Sequence, residues 1–118
     1  PILAVAASMA KGKTYFQGVN ELRFKESDRF SGILNLLEKS GVKTDSKKDD
    51  IIIYGKSELK KGDIEIETNL DHRMAMSALV MGLVSKKEVK IDNDETIKTS
   101  FPSFYKVMLK IGAKLSKK

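Results

Sequence analysis

Hydrophobic residues along this chain switch repeatedly between the spacing of a helix and that of a strand. Phe30, Ile33, Leu34 and Leu37 recur at three- and four-residue intervals, which predicts an amphipathic helix over about Ser27–Lys39, ended by Gly41 at C′. "DIEIET" (63–68) alternates strictly and predicts a strand. Both periods occur within a few tens of residues, as in layers of helix on sheet.

The other segments fit that scheme. "ILAVAASMA" (2–10) is apolar and helix-prone, stopped by Gly12, and "KTYFQGV" (13–19) reads as a strand. "GVKTD" (41–45) and "DIIIYG" (50–55) predict two short strands. Asp71–Val84 predicts a second long helix, apolar over much of its surface and therefore buried, with its methionines as core filler. "EVKI" (88–91) is a strand and "DNDE" (92–95) a turn; "FPSFYKVMLKIG" (101–112) is a third amphipathic helix with Pro102 in its first turn. "AKLS" (113–116) closes as a strand. The expected order is α β α β β, then β α β α β: an α/β (α+β) fold of two related units, about 1–56 and 62–118, with helices packed on small mixed sheets.

Composition narrows the function classes. A length of 118 residues suits one domain, and 41% hydrophobic with 32% charged residues reads as soluble and globular. No apolar run approaches the roughly 20 residues that span a bilayer, and the opening lacks the cationic lead of a signal peptide. The absence of cysteine excludes disulfides, thiolate catalysis and cysteine zinc sites, and it fits a reducing, cytoplasmic compartment. One histidine, His72, excludes a histidine metal cluster. The chain starts at Pro1, without methionine and inside an apolar segment, which suggests a piece of something larger.

The net charge of +6 admits two partner classes, nucleic acid or small anions. Lys47, Lys48, Lys60, Lys61, Lys117 and Lys118 fall in polar turns or the tail and read as solvated surface. Aromatic residues are 7% and are not interleaved with the cations, which argues against single-strand stacking.

Two charged knots remain. "LRFKESDRF" (22–30) puts Lys25, Glu26 and Arg29 where a helix begins, with Ser27 or a neighbour as its cap. Two cations four residues apart, together with open backbone N–H groups, can hold an anion. Arginine suits carboxylate or phosphate because its fork binds two oxygens. Glu26 beside them is ionised, or acts as a general acid or base if buried. "DHRMAM" (71–76) repeats the arrangement: Asp71 is a natural N-cap, and Arg73 in the first turn opposes the helix dipole unless an anion neutralises it. His72 reads as a structural hydrogen-bonder or as an orienter of the arginine. The competing reading of both knots is capped helices with surface salt bridges, each worth about 0–1 kcal/mol.

"LRFKESDR", "DHRMAMS" and "TSFPSF", in this order and spacing, closely resemble the C-terminal part of the 5-enolpyruvylshikimate-3-phosphate synthase (3-phosphoshikimate 1-carboxyvinyltransferase) family. The resemblance runs through essentially the whole chain. It implies transfer of the enolpyruvyl group of phosphoenolpyruvate to the 5-hydroxyl of shikimate 3-phosphate, with release of phosphate and no metal or organic cofactor. It also implies a two-domain enzyme of βαβαββ units, of which this chain carries about two, the last incomplete. By the resemblance, Arg29 and Arg73 bind phosphoenolpyruvate, Lys25 contacts shikimate 3-phosphate, and Glu26 exchanges a proton with the methylene carbon. The family's proton-accepting aspartate falls immediately before Pro1, and the N-terminal domain lies elsewhere, so the chain alone is expected to be inactive. Many members carry Lys directly before the Ser/Thr-Phe-Pro of the last motif, where this chain has Thr99, with Lys98 one residue earlier. The alternative outside this family is a small basic module that binds nucleic acid or another polyanion.

Overall fold

The computed structural model describes residues 1–55, 64–85 and 88–115, all but the side chain of Ser85. Lys60, Lys61, Lys117 and Lys118 lie outside them. In chain order the elements are α1 (Ile2–Met9), β1 (Gly12–Phe16), a 3-10 turn (Asn20–Phe24), α2 (Arg29–Lys39), β2 (Lys43–Lys47), β3 (Asp50–Gly55), β4 (Ile64–Ile66), α3 (His72–Ser85), β5 (Val89–Ile91), α4 (Glu95–Ser100) and α5 (Phe104–Lys110).

β3 is the centre of a three-stranded antiparallel sheet in the order β1-β3-β2. Ile51, Ile52 and Ile53 supply the β-branched run that a central strand favours. Phe16 pairs with Ile51 on one side and Lys43 with Tyr54 on the other. β4 and β5 form a two-stranded parallel sheet joined through α3, Ile64 opposite Val89 and Ile66 opposite Ile91. That is the connection a parallel pair requires. One sheet is thus wholly antiparallel and the other wholly parallel.

The core lies between the sheets and the first three helices. Ala4, Val5 and Ala7 of α1 meet Ile33, Leu36 and Leu37 of α2, Ile51 and Ile53 of β3, and Met74, Ala78 and Met81 of α3 in one buried cluster. The α3 methionines are core, as expected. α1 leans closely on the end of β3: a Cβ on Gly55 would stand 1.7 Å from the Ala10 carbonyl oxygen. A smaller cluster of Ala75, Ile97 and Phe104 joins α3, α4 and α5.

Several expectations need correction. α2 begins at Arg29, two residues later than the spacing predicts, and its cap is the neighbour of Ser27, Asp28, whose carboxylate accepts from the Ser31 N–H at 3.1 Å. Lys25 ends the 3-10 turn in extended backbone, and it does not share a helix face with Arg29. The turn expected at 92–95 ends one residue early, at Asp94, and Glu95 opens a helix, α4, over residues 95–100, for which the sequence predicts no element beyond Glu95; one apolar residue in six, Ile97, is too weak a period to read but suffices for docking. Pro102 precedes α5, whose cap is Ser103. Residues 113–115 form no strand, the Ala113 N–H instead donating to the Met108 carbonyl at 2.9 Å, and Ser116 lies outside the described residues. Gly41, at φ +82°, follows α2 as expected and takes the left-handed conformation that glycine tolerates.

Candidate functional site

The two charged knots meet at one buried carboxylate. Asp71, wholly buried, lies just before α3. Its Oδ1 accepts from the backbone N–H of Arg73 at 3.0 Å and of Met74 at 3.4 Å, capping the helix as expected. The same carboxylate reaches Arg29, 42 residues away: Nε donates to Oδ2 at 2.7 Å and Nη2 to Oδ1 at 3.1 Å. The Ser27 hydroxyl donates to Oδ2 at 2.7 Å. A side-on fork of this kind fixes the guanidinium in plane.

Burial alone would raise the Asp71 carboxyl. The hydrogen bonds from Arg29 and Ser27 and the Arg29 charge overcome it, and they hold the group below the ordinary aspartate range. Arg29 is buried. Its Nη2 also donates to Glu26 Oε2 at 2.6 Å, and the Glu26 side chain is 56% exposed. Nη1 takes no hydrogen bond among the described residues.

Arg73 is exposed, and its guanidinium has no ion pair among the described residues. A cavity of about 200 Å³ opens beside the start of α1, lined by Pro1, Ala4, Phe16, Leu22 and Ile51 among others.

The turn that delivers Asp71 is tightly specified. The Asp71 N–H donates to the Thr68 carbonyl at 2.9 Å, closing a four-residue turn whose central residues, Asn69 (φ 51°) and Leu70 (φ 57°), are both left-handed. Positive φ at both positions is the backbone of a type I′ turn, and for leucine it costs about 1–2 kcal/mol.

The remaining candidates stand apart. Lys25 is exposed and has no ion pair among the described residues, and His72 is half-buried. Lys98 Nζ lies 3.3 Å from Glu95 and 3.9 Å from Asp94, on the wall of a different, open cavity of about 990 Å³. Thr99 Oγ1 donates to the Glu95 carbonyl at 3.2 Å. No described contact brings Lys98 or Thr99 to the arginines. Sequence reasoning missed two parts of the site: the Ser27–Asp71 bond, and the double role of Asp71 as cap and arginine partner. Local spacing carries the cap but not a contact 42 residues distant.

Comparison with known proteins agrees with these motifs. The family model described as EPSP synthase (3-phosphoshikimate 1-carboxyvinyltransferase) matches residues 1–108. The chain is 47% identical over 116 residues to a 3-phosphoshikimate 1-carboxyvinyltransferase of Paramagnetospirillum magneticum, covering 98% of this chain and 26% of that protein. It is 48% identical over 117 residues to the one of Bartonella quintana, again 98% of this chain and 26% of that protein. Among solved structures, EPSP synthase from Acinetobacter baumannii superposes with a TM-score of 0.81 at 37% identity, covering 93% of this chain and 26% of that one. The enolpyruvyl transferase NikO from Streptomyces tendae, at 19% identity and a TM-score of 0.65 over 95% of this chain and 24% of its own, shares the fold. The chain thus spans about a quarter of the length of its curated relatives. An α/β chain whose two arginine-bearing helix starts join at one buried aspartate, and which matches that family model over residues 1–108, belongs to the EPSP synthase (3-phosphoshikimate 1-carboxyvinyltransferase) family.

Proposed function

We propose that these residues are about a quarter of an enzyme that transfers the enolpyruvyl group of phosphoenolpyruvate to the 5-hydroxyl of shikimate 3-phosphate and releases phosphate. They form two units, about 1–56 and 62–118, of its C-terminal domain, working in the cytoplasm. The observation that carries the reading is the Asp71 carboxylate, which ties the start of α2 to the start of α3, where the Arg73 guanidinium has no ion pair among the described residues. The comparisons give the nucleic-acid alternative no support.

Arg29 and Arg73 bind the phosphate and carboxylate of phosphoenolpyruvate, and Lys25, with Thr99 and Lys98 contributing from α4, meets shikimate 3-phosphate. His72 and Asp71 support the arginines. Glu26 gives a proton to the methylene carbon, which leaves positive charge on the adjacent carbon. The 5-hydroxyl attacks there and gives up its proton to the aspartate that the family carries before the Pro1 position. Return of a methyl proton to Glu26 and departure of phosphate restore the double bond. Preorganised cations next to the developing charges contribute most of the stabilisation. Glu26 rests on Arg29, so an incoming anion must displace it before it can reach the substrate carbon. Catalysis needs groups from both domains closed around the substrates, so the 118 residues alone do not turn over.

A chimera tests this reading. These residues replace the corresponding quarter of the Paramagnetospirillum magneticum relative, and phosphate release is followed with both substrates present. The expected result is turnover that falls by about 100-fold or more in Arg73→Ala. A chimera that turns over at the same rate with and without Arg73 would falsify the assignment.

A further inference from the structure

Asp92 has no role in the site described above, yet hydrogen bonds connect it to that site. It follows β5 directly, its N–H donating to the Ile66 carbonyl at 3.3 Å. Its Oδ1 accepts twice from Thr68, from the backbone N–H at 3.0 Å and from Oγ1 at 2.7 Å. Thr68 is 1% exposed. The Thr68 carbonyl then closes the left-handed turn that delivers Asp71. Leu70, at the centre of that turn, is 62% exposed, so packing of its own side chain does little to hold a conformation leucine disfavours. The hold must come from the turn's anchored end. Asp92 is exposed as a residue; partial desolvation of its carboxylate works against ionisation, but the Thr68 bonds and nearby backbone N–H groups outweigh it and lower its pKa.

We propose that Asp92 is a positioning residue for the anion site: through Thr68 it fixes the turn that places Asp71 against Arg29 and sets the start of α3 at Arg73. Because Asp92 also stands three residues before α4, it ties the segment carrying Lys98 and Thr99 to the same turn. The proposal rests on the reading of Arg29 and Arg73 as that site.

The test uses the 118-residue chain, NMR of the Arg29 Nε–H signal, and titration with inorganic phosphate. Asp92→Ala and Thr68→Val are expected to move or broaden the Arg29 signal and to weaken phosphate binding by about five-fold or more. The core methyl signals of Leu36 and Ile53 should stay in place. Thr68→Ser keeps the hydroxyl and restores both readouts, and Asp92→Asn keeps the accepting oxygen and stays close to wild type. Folded Asp92→Ala and Thr68→Val chains whose Arg29 signal is unmoved and whose phosphate affinity stays within about two-fold overturn the proposal. If Asp92→Ala does not fold, the Thr68 pair decides. A wild-type chain blind to phosphate removes the anion-site reading instead, and the Arg29 signal still decides for or against Asp92.

Discussion

Arg29 and Asp71 share a buried site in which neither charge has enough water, so each depends on the other. Removing one partner of such a pair costs about 3–5 kcal/mol, because the survivor stays buried and uncompensated. Asp71→Ala should therefore lower unfolding stability by about that amount in urea titration, far more than Asp45→Ala on the exposed strand β2. The pairing also sets an acid limit. The folded-state pKa of Asp71 lies below its unfolded value, so its contribution is present above the ordinary aspartate range and is lost as pH falls through the lowered folded value. Stability of the wild-type chain should fall with acid below about pH 4; Asp71→Asn should be less stable at neutral pH and flatter in that window, so that the difference narrows in acid. Glu26 is different. Its carboxylate is half in solvent, so the contact with Arg29 is worth about 0–1 kcal/mol. Glu26→Gln should tighten phosphate binding by no more than about five-fold, and weaker binding in a phosphate titration would show that Glu26 does not compete for the arginine.

At the level of elements, the close approach of α1 to β3 gives a sharp expectation. A Cβ on Gly55 cannot coexist with the Ala10 carbonyl at 1.7 Å, so Gly55→Ala should destabilise by about 1–3 kcal/mol and shift the amide signals of α1. Unchanged α1 signals would contradict that packing. α1, α2, α3 and the strand run of β3 were legible in the sequence because each carries its own period and its own stop. α4 was not: its single buried apolar residue, Ile97, has meaning only against Ala75 and Phe104 of its neighbours. The site divides the same way. That Arg29 and Arg73 stand at helix starts followed from local spacing. That Asp71 serves both depends on how α2 and α3 pack, which no short-range period encodes. The four-residue spacing of Lys25 and Arg29 would give a shared face only inside one helix, and the backbone turns extended at Lys25 before α2 begins.

Over the whole molecule, the basic residues behind the +6 charge are spread along the sequence, not gathered in one segment. Duplex DNA at low salt should therefore give flat anisotropy up to about micromolar protein, well short of a dedicated reader. Ile2, Leu3, Phe24, Leu109 and Ile111 are all more than half exposed, and β1 and β2 are open sheet edges. Exposed apolar side chains and strand edges favour association, so the elution volume in gel filtration should shift to larger species as concentration rises. The most direct measurement is a titration of the chain with phosphoenolpyruvate at low salt, read at the arginine side-chain signals. The expected result is saturable shifts confined to residues 25–29 and 71–74, abolished by Arg73→Ala. No shift at Arg29 and Arg73 at millimolar ligand, or small shifts scattered over the surface lysines, would contradict a shared anion site.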